Sequence, residues 1–334
     1  MNRIDRRDFL TGSAALAGGA LLPFSNSAQA EPPPETTRVR IAKYPVACVA
    51  PLYIGEALLR GEGFTQIDYV KADYGPSQSA VGEGPGKADF DMDTVPAILT
   101  YMDAQQPVVT LSGVHLGCYE LFGSAGVQTI RELKGKRVPI DQLGGSKHVL
   151  LSSMAAYVGV DPKSIKWVVV PLKEGRRMYE AGEVDAYFGF PPEPQELRAK
   201  KIGNVIVNTS TDKPWSEYFC CMLITHREFV RKNPVATKRV IRAILKAADI
   251  CAANPESVAQ TLMEKKLTSK YEYALETLRE VKFDVWRTYD PENSMRFHAN
   301  RLYEVGMIKT PPNKLIAQGT DWRFLNELKK ELKA

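Results

Sequence analysis

The sequence predicts an α/β protein of two lobes with a helical C-terminal tail. Three patterns carry this expectation. Strand-like apolar runs alternate with helix-length stretches from residue 38 onward, the alternation restarts after residue 123, and beyond residue 226 the pattern is almost wholly helical. Strands alternating with helices of this length imply a parallel sheet covered by helices on both faces. Two such lobes would hold a ligand in the cleft between them, at the carboxyl ends of their strands.

The elements follow in order. RVRIAKY (38–44) reads as a strand, and PLYIGEALLRGEGF (51–64) as a helix ending in glycines, which favour helix C-termini. IDYVKA (67–72) is the next strand, and a short helix is expected over 77–83. ADFDMD (88–93), VPAILTYMDAQQ (95–106) and VVTLSGV (108–114) read as strand, helix and strand. In the second unit, TIRELKGKRVPI (129–140) gives a short helix and a strand, and SKHVLLSSMAAYVGV (146–160) a helix. KWVVVP (166–171), KEGRRMYEAGEV (173–184) and DAYFGF (185–190) continue as strand, helix, strand, and PEPQELRAKKIG with NVIVNT (204–209) closes the unit. EYFCCMLITH (217–226) is a strand that returns to the first lobe, and 228–254 and 271–289 are helical. The expected divisions are therefore 38–123 for the first part of lobe one and 124–216 for lobe two. Residues 217–334 form the return strand and a helical tail packing on lobe one.

Residues 1–30 stand apart from the fold. Arg6-Arg7 precedes Asp8-Phe9-Leu10 and a weakly apolar, glycine- and alanine-rich run, and Ala28-Gln29-Ala30 supplies small residues for cleavage before Glu31. This resembles a twin-arginine export signal, followed by a linker over 31–37, and places the mature protein in the periplasm. About 20 strongly apolar residues would be needed to span a membrane, so direct membrane insertion is not expected. The formal charge of the 334-residue chain is +5, falling to +4 without residues 1–30, and its basic residues are scattered. That excludes a nucleic-acid footprint.

Cys48, Cys118, Cys220, Cys221 and Cys251 are odd in number and lack C-x-x-C spacing. Buried free thiols are expected, because a metal site would need further ligands at short spacing. His115, His148, His226 and His298 show no paired zinc spacing, and no motif marks a nucleophile or a phosphate loop. No catalytic residue, metal or cofactor is expected.

At this point the residues resemble a family: the periplasmic substrate-binding components of ABC importers for nitrate, sulfonates, taurine and thiamine-pyrimidine precursors. RIAKYPVACVAPLYIGEALLRGEGF, GKADFDMDTVPAILTYMDAQQPV, TIRELKGKRVPIDQLGGSKHVLLSSMAAYVGV, EAGEVDAYFGFPPEP and EYFCCMLITHREFVRKNP carry the resemblance in order. It implies the two-lobe type II periplasmic-binding-protein fold and a solute receptor that works with permease and ATPase subunits, as a monomer. It also implies where the ligand loops fall: Cys48 after the first strand, Tyr74, Gly75 and Ser77 after the second, Asp91, Asp93 and Thr94 after the third. His115 flanks the first crossing, Gly144, Gly145 and Ser146 form the capping loop of lobe two, Phe190 and Glu193 lie opposite, and Trp215 begins the second crossing. An exported enzyme on the same fold, or a ligand-sensing module, is the alternative.

Two local features bear on the ligand. QLGGSKHVLL (142–151) opens a helix, where free backbone N–H groups accept anions, and Ser146 or Gly145 can cap it. Lys147, however, puts a cation in the first turn against the helix dipole, which is met either by a ligand's acidic or oxygen-rich end or by turning the side chain out to solvent. Asp91, Asp93 and Glu193 then sit at strand ends facing the cleft, although acids there also suit helix starts. A carboxylate facing the ligand disfavours a simple anion and favours a sulfonate- or taurine-like zwitterion or a pyrimidine-like heterocycle with donor groups.

Overall fold

Burial along RVRIA, with Val39, Ile41 and Ala42 inside and Arg38 exposed, sets the first strand of a five-stranded sheet. In the computed structural model, which describes residues 31–71, 78–268 and 270–332, the strands are β1 (Arg38–Ala42), β2 (Gln66–Val70), β3 (Phe90–Thr94), β4 (Val108–Leu116), β5 (Glu120–Gly123), β6 (Arg137–Ile140), β7 (Lys166–Val169), β8 (Ala186–Gly189), β9 (Asn204–Asn208) and β10 (Phe219–His226). Lobe one carries the sheet β2-β1-β3-β10-β4, and lobe two carries β8-β5-β9 beside the pair β6-β7. These elements belong to the unit Pro33–Ala334.

The sheets are mixed rather than parallel as the alternation implied. β1 runs parallel to β2 and β3, but β10 is antiparallel to both β3 and β4, and β5 is antiparallel to β8 and β9. The reason is topological: β10 enters lobe one from lobe two instead of through a helical crossover, so it arrives from the opposite end. The short helix expected over 77–83 is also absent from its described part, 78–83. Val81 bridges Ala88 there, and Gly84 and Gly86 take φ of +94° and +72°, a left-handed turn that glycine adopts freely.

The chain passes between sheets at 117–119 and 209–218, the first crossing falling earlier than the Gly123 read from the sequence. The crossings lie side by side. Thr209 N–H and hydroxyl both donate to the Tyr119 carbonyl at 2.9 Å, Tyr119 N–H donates back to Thr209 Oγ1, and Ser210 Oγ donates to the Gly117 carbonyl at 2.7 Å. A Cβ on Gly117 would stand 2.0 Å from the Thr209 carbonyl oxygen, so only glycine permits this approach.

The tail reaches both lobes. Its long helix Pro234–Ala253 packs on Ala50–Gly61, where Gly55 lets Ile244 come close. Pro291–Glu304 packs against the lobe-two helix Ser146–Tyr157, with Ser153 Oγ 2.9 Å from His298 Nδ1. Arg198, on lobe two, contacts Glu120 of β5 and also Glu276 and Glu280 of the tail helix Tyr271–Glu280, at 2.7 and 2.6 Å. No helix among the described residues is long and apolar enough to cross a membrane.

Candidate functional site

An open cleft of about 700 Å³, counting the solvent-filled space at its mouth, lies where the end of β3 meets the start of the helix Ser146–Tyr157. Tyr44, Val46, Cys48, Val49, Met92, Asp93, Thr94 and Cys221 line it from lobe one. Asp141, Gln142, Ser146, Lys147, Leu172 and Phe190 line it from lobe two, and Cys118 and Tyr119 line it from the crossing.

Asp93 is the polar centre. Its Oδ1 accepts from Ser146 Oγ at 2.9 Å and from Thr94 N–H at 2.6 Å, and its Oδ2 accepts from Tyr101 OH at 2.5 Å. The Ser146 bond joins the two lobes directly. Burial raises the Asp93 carboxyl above its ordinary range despite these donors. Asp91 is pushed well up, first by burial and then by the Asp93 charge, and it accepts from Tyr44 OH at 3.0 Å. Two cleft oxygens, Thr94 Oγ1 and Asp141 Oδ1, are buried without a hydrogen-bond partner among the described residues.

The GGSKH loop departs from an ordinary cap. Gly144 takes φ +77°, and its N–H donates to His148 Nδ1 at 3.0 Å. Gly145 holds the cap position with no side chain to offer, and Ser146 is the first helical residue, which frees its hydroxyl for Asp93. Lys147 is 3 % exposed; its Nζ lies 3.3 Å from Glu193 Oε2, 3.2 Å from Tyr187 Oη and over the rings of Tyr187 and Phe190. Tyr187 OH donates to the same Glu193 oxygen at 2.6 Å. The cation that opposes the helix dipole is thus matched within lobe two. Burial lowers His148 to about 4, so its ring stays neutral and can accept the Gly144 bond.

Of the residues singled out in the sequence, the cleft gathers Cys48, Asp93, Thr94, Ser146, Lys147 and Phe190. Asp91 and Glu193 stand one contact behind it, through Tyr44 and Lys147, and Gly144 and Gly145 shape the loop. His115 is buried in β4. Trp215 lies away from the cleft, packed on Tyr157 and Phe297. Tyr74, Gly75 and Ser77 lie outside the described residues. Val46, Met92 and Gln142, which fall within the loops singled out in the sequence, also line the cleft, while sequence reasoning missed Asp141 at the end of β6 and the apolar wall added by Val49 and Leu172.

All five cysteines are buried and free, as expected. The fold nevertheless collects four of them beneath the cleft. Ligand atoms of Cys48, His115 and Cys118 lie within 4.8 Å of one another, as do those of Cys118, Cys220 and Cys221. The Sγ atoms of Cys118 and Cys220 are 3.7 Å apart, well beyond the ~2.05 Å of a disulfide. A hydrogen bond from Cys118 is the main influence holding the Cys48 thiol down, at about 6.

Two α/β lobes joined by paired crossings, with a cleft at the strand ends, define the periplasmic-binding-protein fold. The chain aligns with the periplasmic nitrate-binding protein NrtA of Synechocystis PCC 6803 at a TM-score of 0.76 and 16% identity, covering 90% of each chain. It aligns with the alkanesulfonate-binding protein SsuA of Xanthomonas axonopodis pv. citri, solved bound to MOPS, at 0.68 and 17%, covering 86% of this chain and 99% of that one. "Putative binding protein BAB2_1146" of Brucella abortus (strain 2308) is 23% identical over 173 residues, 52% of this chain and 54% of that protein; the match spans about half the length of each. The family model described as NMT1/THI5 like matches residues 67–258, and the chain belongs to that family. A twin-arginine translocation signal matches residues 3–23, so the protein is exported and periplasmic.

Proposed function

We propose that the protein is the solute receptor of an ABC importer, taking a small organic solute into the interlobe cleft and delivering it to permease and ATPase subunits without changing it chemically. Among sulfonates, taurine-like zwitterions and pyrimidine-like heterocycles, the flat heterocycle is the best fit.

One observation carries this choice. Lys147, the cation on the cleft wall, already has Glu193 as its partner, while Asp93, Thr94 and Asp141 offer oxygens to the cleft. A simple anion would meet the Asp93 and Asp141 carboxylates and no unpaired cation among the described lining residues, and like charges oppose one another in a poorly solvated space. A ring with N–H donors meets those oxygens and can lie against Tyr44, Tyr119 and Phe190. Contacts to both lobes at once select the closed state.

The test is a thermal-shift screen of residues 31–334 against nitrate, sulfonates, taurine and aminopyrimidines, with each hit recovered and weighed by mass spectrometry. A ligand at about 100 times its dissociation constant adds about 2.7 kcal/mol. Heterocycles should stabilise the protein and return unchanged. Stabilisation by nitrate or sulfonates alone would overturn the charge argument, and a chemically altered ligand would make the protein an enzyme.

A further inference from the structure

We propose that Cys48, His115 and Cys118 form a binding site for one thiophilic divalent cation of the zinc class, set in the floor of the cleft and flanked by Cys220 and Cys221. The inference stands apart from the identity of the solute.

The three donors come from distant parts of the chain: the turn after β1, the end of β4 and the first crossing. Their ligand atoms lie within 4.8 Å of one another in a fully buried cluster. Two sulfurs and one imidazole nitrogen are a donor set that zinc accepts in three-ligand sites with an open fourth position.

His115 supplies the second observation. Its Nδ1 lies 2.7 Å from the Leu116 carbonyl oxygen. As the donor there, Nδ1 carries the proton and leaves Nε2 with a free lone pair. Nε2 is buried with the Cys48 thiol as its neighbour and no other hydrogen-bond partner among the described residues, so ring nitrogen and sulfur already face one another as two ligands of one ion would. A histidine that gives one ring N–H to a backbone carbonyl and keeps the other nitrogen bare has the arrangement usual for a metal ligand.

The neighbouring trio, Cys118 with Cys220 and Cys221, is the rival set. Three thiolates around a dication leave a net negative charge, in a buried space where charge is expensive. Two thiolates and a neutral imidazole balance it. Cys48 and Cys118 also face the cleft, which gives the cation an entry path and directs its open position toward the solute.

The experiment uses the mature chain, residues 31–334, purified folded under reducing conditions and titrated with Zn(II) and, as a spectroscopic probe, Co(II). One equivalent should bind, with thiolate-to-cobalt charge transfer and tetrahedral visible bands. Cys48→Ser should weaken Zn(II) binding by at least about a hundredfold, since even outer partners of a ligand are worth about 10–100-fold, and Cys220→Ser, which removes only a neighbour of Cys118, should weaken it by less. X-ray absorption of the unmutated zinc-loaded protein should count two sulfurs and a nitrogen, whatever the variants do. Binding well below one equivalent, a Cys118–Cys220 disulfide in place of metal, loss in Cys220→Ser with retention in Cys48→Ser, or a three-sulfur shell would overturn the assignment.

Discussion

Acid should loosen this protein through His148, and the size of the effect follows from its surroundings. The ring accepts a hydrogen bond from Gly144 N–H and packs edge-on against Trp167, and burial holds its pKa at about 4 against 6.5 when free. A protonated imidazole has no lone pair for Gly144, so protonation must break the loop that presents Ser146. The folded state therefore binds fewer protons than the unfolded chain between pH 6.5 and 4. Stability contributed by this group is complete above 6.5 and is lost as pH falls through that window. At about 1.4 kcal/mol for each pKa unit, roughly 2 kcal/mol would be gone by pH 5, or about 1–2 kcal/mol after allowing for solvent around a half-buried ring. His298, fully buried and also lowered to about 4, adds a loss of the same sign. Calorimetry at pH 8 and pH 5 on the wild type and His148→Gln checks this. The glutamine carbonyl can still accept from Gly144, so the variant should show a smaller drop between the two pH values by that amount. An identical drop in both proteins would refute the reasoning.

Lys147→Ala should lower the melting temperature of the ligand-free protein, because it strands Glu193 in a largely buried setting at a cost of about 3–5 kcal/mol; chemical denaturation measures this, and an unchanged midpoint would show the pair to be dispensable. Gly117→Ala should destabilise by at least about 1–3 kcal/mol, since its methyl would collide with the Thr209 carbonyl 2.0 Å away, and the same denaturation curves report it. Ser146→Ala removes the bond between the lobes, worth about 1.5–3 kcal/mol to an ionised carboxylate and less to a neutral one; small-angle scattering should then show a larger radius of gyration without ligand.

The alternation of strands and helices was plainly readable, because apolar periodicity reports local structure directly. Strand direction was not: nothing in EYFCCMLITH says from which end β10 enters its sheet. The glycine loop was legible as a helix start that lines the cleft, but the reason for Lys147 was not, since its partner Glu193 is 46 residues away and sequence distance hides ion pairs. The cysteines teach the same lesson. Cys48, His115 and Cys118 have no motif spacing, yet the turn after β1, the end of β4 and the first crossing bring them together. Trp215 shows the opposite, its ring packed between Tyr157 of lobe two and Phe297 of the tail, neither of which the sequence spacing pairs with it.

Arg198 ties lobe two to the tail across a single side chain. One guanidinium answers Glu120 on its own lobe and Glu276 and Glu280 on the tail. A parting of the lobes would leave it the first and cost it the other two, so opening would separate charge at a partly exposed site. In water at 0.1 M salt that attraction fades within a Debye length of about 10 Å. The contact therefore works as a short-range catch and not as a long spring: it resists the first few ångströms of motion, then exerts almost no pull.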